Sequence, residues 1–216
     1  MGLFISKLWT SPQEFFLISL VVIFSICLHE YFHAQCALWM GDSTAADRGH
    51  LTLNPLKQMG FISILMFLFV GIAWGAVPVD PNRLRSRTKY GPLIVSLSGP
   101  FANFLLACAG YIAFTLLLIA TGGEKPGFVM NNLLTLLLLL GVYNIVLMLF
   151  NLIPVPGLDG WNVLQCLFPK LGSGSSEFIK GSMIFLIFAA MMGIRFLFDF
   201  AVFVMMSGVS VAETFL

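Results

Sequence analysis

Three residues within five positions could do chemistry together. They are His29, Glu30 and His33, in the run His29-Glu30-Tyr31-Phe32-His33. Helical positions four apart share a face, so both imidazoles can reach one ion at about 2.0–2.1 Å. Glu30 is turned about 100° from His29, so it can stand beside that ion without ligating it. Two imidazoles and an adjacent carboxylate suit zinc, with the carboxylate taking a proton from water activated at the metal. The run alone is moderately specific, but its setting adds weight. Glu30 is the only charged residue from Phe15 to Gly41. Ionisable groups in an apolar span are expensive and point to function. The bland alternative is a structural His–Glu cluster, although Ser or Asn would tie helices at lower cost.

A zinc site of this kind takes a third protein ligand. The candidates are His50, Asp42, Asp47, Asp159, Glu124, Glu177 and Glu213. His50 lies in a polar loop beyond Gly41 and reads as a solvated histidine. Asp159 stands out because it follows Asn151-Leu152-Ile153-Pro154-Val155-Pro156-Gly157-Leu158 and precedes Gly160. Pro154 and Pro156 must break a helix there. Irregular backbone at membrane depth is tolerated where it lines a cavity. An acid just past such a break can sit level with the histidines, while an ordinary turn at a helix end is the plain alternative. Asn144 and Asn151, seven apart, share one stripe of a helix. Asn144 reads as a helix-to-helix hydrogen bond. Cys27 reads as a small buried hydrophobe.

The composition says what scaffold must position these groups. Of the 216 residues, 59% are hydrophobic and 10% charged, against about 45–50% and about 25% in soluble domains. A soluble domain and a disordered chain are both excluded. A net charge of +1 gives no reason to expect nucleic acid as a partner. The four cysteines form no CxxC pair, so a disulfide framework is not expected. What remains is an all-α polytopic membrane protein in a lipid bilayer, with about four to six membrane segments.

Residues 15–40, 93–121 and 131–153 are long and apolar enough to span, the last leading into the 151–160 motif. The run 61–77 is short, and 181–212 reads as one C-terminal helix or two. Ser11-Pro12-Gln13-Glu14 has the form of a helix start, with a capping Ser, Pro at the first position and Glu three residues after the cap. No basic leader precedes the first apolar run, so no cleavable signal peptide is expected. If 61–77 makes no net crossing, the loops 41–60, 80–90 and 159–180 share one side. They then hold eight of the eleven Lys and Arg residues. That side is expected to be the cytoplasm, with the N-terminus outside.

The chain resembles the site-2 protease family of intramembrane zinc metalloproteases. The resemblance rests on His29-Glu30-x-x-His33, on Asn151-x-x-Pro154-x-Pro156-x-x-Asp159-Gly160, and on Ser98-Gly99-Pro100-x-x-Asn103 between them. The order of the three motifs is the family's, and together they are highly specific. The resemblance implies one zinc held by His29, His33 and Asp159, with Glu30 as general base and later proton donor. It implies that Asn151 holds substrate backbone and that Asn103 orients the ligands.

Further implications concern the fold and the substrate. The family has a small re-entrant β element between the first two motifs, for which Leu51–Leu53 and Gly75–Val79 are the candidates. The expected substrate is a transmembrane protein, unwound and cut near the cytoplasmic side of a prokaryotic cytoplasmic membrane. A single membrane-embedded domain over 1–216 is expected, without a PDZ-like or CBS-like module, and residues 41–90 form its cytoplasmic or re-entrant region. Two rivals remain at this level. One is a Ste24-like membrane protease with a glutamate as third ligand. The other is a metal transporter or scaffold.

Overall fold

The apolar runs fold as helices because a backbone inside lipid must satisfy its own N–H and C=O groups. The computed structural model describes the backbone of residues 3–122, 125–169 and 176–214, and side chains except those of 176–192. Glu124, Lys170 and the side chains of Glu177 and Lys180 lie outside the described residues. Among the described residues, four helices are long and apolar enough to cross a membrane. The first span is Pro12–Trp39, the second Gly91–Ala120 and the third Phe128–Asn151. The fourth lies within one continuous helix, Ser176–Glu213. Pro12 opens the first span as the start signal predicts, but the Ser11 side chain makes no capping bond. Glu14 pairs with Lys7 at 2.6 Å instead of closing back on Ser11.

Contacts between spans set their directions. Gln13 bonds Asn132, and Ser25 bonds Asn144, so the first and third spans run parallel. The second runs against both, with Val95 on His33 and, further along, Asn103 on His29. Tyr143 packs on Phe198 and Gly141 lies against Met205, which makes the fourth antiparallel to the third. Glycine permits the closest approaches. A Cβ on Gly110 would fall 2.8 Å from the Gly141 nitrogen, and one on Gly141 would fall 2.1 Å from the Met205 sulfur. The segments 40–90 and 152–169 thus leave from one end of the bundle. Arg83, Arg85, Arg87 and Lys89 are exposed there. This is the loop grouping that the charge count requires.

The run 61–77 does not cross. Its helix, Gly60–Val70, has 11 residues and so spans about 16 Å, roughly half of a hydrocarbon core about 30 Å thick. It begins at Met59, which shares a buried cluster with Ile26 and Cys27. It rises toward the start of the first span, where Phe67 stacks on Phe4 with centroids 5.1 Å apart. Gly71, at φ 93, ends the helix in the left-handed region that favours glycine. The chain then returns as an extended strap over 72–80. The Ser63 hydroxyl donates to the Trp74 carbonyl at 2.6 Å and accepts from its N–H at 2.9 Å. Lower down, the Ala76 N–H donates to the Gln58 carbonyl at 3.1 Å. The strap leaves by the face at which the half-helix entered.

The expected β element is not formed: among the described residues there is no strand. The carbonyls of His50 and Thr52 are taken by the Gln58 side chain at 2.8 and 2.6 Å. Asn54 and Pro55 then begin a helical turn. Gly75–Val79 is extended, but its segment is pinned by Ser63, Gln58 and Asp42 and not by a partner strand.

Asp42 ties the two ends of this region together. It accepts from the Thr44 N–H at 3.0 Å, from the Thr44 hydroxyl, and from the Asp80 N–H at 2.6 Å. Burial pushes its carboxyl up, but the Thr44 hydroxyl, the Asp80 and Thr44 N–H groups and the Arg83 charge outweigh this and hold it below its ordinary value. A depressed pKa means that the stabilisation is fully present above the unfolded value near ~3.9 and fades as pH falls through the folded value. The stability difference between the wild type and Asp42→Asn, followed by thermal unfolding in detergent, should therefore be constant above about pH 5 and shrink below about pH 4.

Candidate metal centre and active site

Three elements bring the predicted ligands together. The first span presents His29 and His33 on one face, as their four-residue spacing requires. The second span covers that face with Gly99 and Pro100. Pro100 has no N–H, so the Ser96 carbonyl loses its helical partner and the helix loosens there. Gly99 has no side chain to obstruct the histidines. A Cβ on it would fall 2.3 Å from His33 Nε2 and 2.4 Å from His29 Nε2. The third span stops at Asn151 before the two prolines, and Gly157 turns the chain at φ 98. A new helix, Asp159–Leu167, starts at the acid itself. Gly160 lets this helix lie on the end of the third span, because a Cβ there would meet the Leu152 carbonyl at 2.2 Å. Asp159 is thereby folded back onto the histidines.

The donor atoms converge closely. The two Nε2 atoms are 3.0 Å apart. Asp159 Oδ2 lies 3.0 Å from His29 Nε2, and Oδ1 lies 3.2 Å from His33 Nε2. A tetrahedral zinc with bonds of about 2.0–2.1 Å sets its ligand atoms about 3.3 Å apart. The chemistry of the set agrees. His33 Nδ1 lies 2.8 Å from the Val95 carbonyl, and a carbonyl only accepts, so Nδ1 carries the ring proton. His29 Nδ1 lies 2.6 Å from Asn103 Oδ1. Both Nε2 atoms are then left with lone pairs aimed at a common point. Asp159 Oδ2 is buried there and finds no hydrogen-bond donor of suitable direction. Three buried lone-pair donors this close fit a metal cation.

Glu30 stands beside this cluster and not in it. The strap lies directly on its carboxyl: a Cβ on Gly75 would fall 2.4 Å from both Cγ and Oε1. All of these groups line one cavity of about 470 Å³. Its apolar wall includes Ile26, Ile72, Leu147 and Phe150. Asn103, Asn151 and Asn162 are its amides. Asn151 holds its place by donating to the Leu147 carbonyl at 3.0 Å.

The other candidate ligands go elsewhere. His50 pairs with Gln58 at 3.2 Å, Asp47 accepts from the Ser43 hydroxyl at 2.8 Å, and Asp42 holds the loops described above. Glu213 is exposed near the far end of the fourth helix. Cys27 is buried among apolar side chains, as its position suggests. The sequence reading missed the Val95 carbonyl, Gly75 and Asn162. A main-chain carbonyl leaves no residue signal, and a single Gly in a loop has many explanations.

A buried two-histidine, one-carboxylate set with a free carboxylate alongside is how metal-dependent hydrolases activate water. Held among apolar spans, it places the chain among membrane metalloproteases, and relatives narrow the class. YwhC of Bacillus subtilis, provisionally named a zinc metalloprotease, is 35% identical over 160 residues, which is 74% of this chain and 71% of that protein. Rip2 of Mycolicibacterium smegmatis, provisionally named likewise, is 34% identical over 150 residues, 66% of this chain and 54% of its own. Rip2 of Mycobacterium tuberculosis is 30% identical over 145 residues, 65% of this chain and 53% of its own. The chain thus spans about half the length of the Rip2 proteins. No family profile and no solved structure matches it. The chain belongs to the site-2 protease family of membrane zinc metalloproteases, and zinc is its metal.

Two glycine substitutions should separate metal binding from chemistry. Gly99→Ala puts a methyl group between the histidine nitrogens, so zinc content measured by atomic absorption should fall at least about tenfold, as for displaced ligands. Gly75→Ala presses on Glu30, so zinc content should stay at the wild-type level while peptide cleavage is lost.

Proposed function

We propose that this chain is an intramembrane protease that hydrolyses peptide bonds of transmembrane protein segments near the cytoplasmic side, as in regulated intramembrane proteolysis. The observation that carries the reading is the convergence of His29, His33 and Asp159 beside an unligated Glu30, in a cavity walled by three spans. His29, His33 and Asp159 would hold the zinc. When bound there, zinc supplies Lewis-acid polarisation of the scissile carbonyl and of water.

Glu30 takes a proton from that water as its oxygen attacks the carbonyl carbon. It then gives the proton to the amide nitrogen as the C–N bond breaks. Asn151 faces the cavity and offers an amide to substrate backbone or to the developing oxyanion. Asn103 holds the His29 ring. A helical substrate has its peptide groups paired, so it must unwind before a carbonyl can reach the cluster. The strap over 72–80 offers extended backbone along the cavity to take up groups freed by unwinding.

The basic residues at the end of the bundle nearest the cluster support a cytoplasmic site and an external N-terminus, in a prokaryotic cytoplasmic membrane. Asp159 is the acid at the cluster among the described residues, which favours this reading over a Ste24-like one.

Purified protein incubated with a panel of single-span proteins in liposomes tests the proposal. The wild type should cleave a member of the panel within its span. Glu30→Gln should keep its zinc and cleave about 10²–10⁴-fold more slowly. Asp159→Ala should lose both zinc and cleavage. Normal cleavage by Glu30→Gln would overturn the assignment of the base. Zinc uptake into the liposomes without cleavage would point to transport.

A further inference from the structure

The hydrogen bonds around His29 do not stop at Asn103. Asn103 Oδ1 lies 2.6 Å from His29 Nδ1, and Asn103 Nδ2 donates to Asn144 Oδ1 at 2.8 Å. Asn144 Nδ2 donates to Ser25 Oγ at 2.8 Å and to the Leu140 carbonyl at 2.8 Å. The row links the first, second and third spans and returns to the first. Asn103, Asn144 and Ser25 are all 0% exposed. Asn144 lies outside every motif in the sequence.

The direction of this row follows from one atom. A carbonyl only accepts, so the Asn144 atom facing Leu140 must be the amide nitrogen. Asn144 therefore turns its oxygen to Asn103, which must answer with nitrogen. Asn103 then turns its own oxygen to His29, and Nδ1 must carry the ring proton. Nε2 is left with the lone pair. A half-turn of the Asn103 amide changes almost nothing in shape, so packing alone cannot prevent it. That half-turn would present nitrogen to Nδ1, move the ring proton to Nε2 and remove the donor.

We propose that Asn144 is a positioning residue for His29. Anchored on the Leu140 carbonyl, it fixes the Asn103 amide, and through it the His29 tautomer whose Nε2 faces the metal site. His33 receives the same instruction at first hand from the Val95 carbonyl. The Ser25 hydroxyl both donates and accepts, so it adds strength to the row but no direction. The inference rests on the reading of His29 as a metal ligand.

The chain has three histidines, few enough for nitrogen-15 NMR of histidine-labelled, zinc-free protein in detergent to resolve each tautomer. Wild-type His29 should be a single Nδ1–H tautomer. Asn144→Leu should give a mixture of both, and its zinc affinity, read by competition with a chelator, should fall about 10–100-fold. Ser25→Ala should match the wild type in tautomer. If Asn144→Leu does not fold, Asn144→Ser replaces it, since a hydroxyl imposes no direction and the same mixture is expected. A single Nδ1–H tautomer in the Asn144 variant, or an unchanged zinc affinity, overturns the proposal. Undiminished zinc binding by His29→Ala would instead overturn the ligand reading, and the tautomer result on zinc-free protein would stand apart from it.

Discussion

Two imidazole nitrogens 3.0 Å apart, each facing a different oxygen of one carboxylate at 3.0 and 3.2 Å among apolar helices, repel each other and that carboxylate unless a cation lies between them. Much of the structure near them is the means of enforcing that approach. Gly99 removes the one side chain that would separate the histidines, and Pro100 loosens the helix that carries it. Gly160 lets a second helix start lie on the end of the third span, which swings Asp159 inward. Each device weakens a helix locally, since Gly and Pro are poor helix formers. Their clustering around one point marks where local stability yields to function.

Water is the second requirement, and it conflicts with burial in lipid. The half-helix and its returning strap meet both needs. The half-helix gives the strap an apolar anchor against the first span through Phe67 and Met59. The strap then runs along the cavity as extended backbone, pinned at Ser63, Gln58 and Asp42. Irregular backbone at this depth is tolerable where it lines a cavity, as the strap does. Seating Glu30 under Gly75 keeps a carboxylate beside the three-residue cluster without placing it among the converging donors. Hydrolysis needs that separation of roles.

The polar groups between the spans follow the same logic. Asn103, Asn144 and Ser25 tie three helices where apolar contacts alone distinguish lipid from protein poorly. They also carry information, because amides and carbonyls differ in which atom donates. A bundle core made only of apolar side chains could hold the histidines in place but could not choose their tautomer. The Val95 and Leu140 carbonyls can, since a carbonyl has no alternative role.

The class of fold and most of the residues that converge at the candidate site were legible in the sequence. Charge scarcity dictates apolar spans, and a four-residue spacing puts two imidazoles on one face whatever surrounds them. The proline pair before Asp159 dictates a helix break, because a missing N–H and a ring clash are local effects. Local chemistry could not say that Asp159, and not His50 or Asp42, would lie against the two histidines, because that depends on where a chain reversal places an acid some 130 residues away. It also could not foresee that the re-entrant segment would be pinned by side chains instead of pairing as strands, since Gln58, Ser63 and Asp42 compete for the same backbone groups only after the bundle has formed. Asn144 looked like a simple tie between helices, and by pattern it is one. Its connection to His29 exists only in three dimensions, where the direction of a hydrogen-bond row is fixed by a carbonyl that no side-chain motif records.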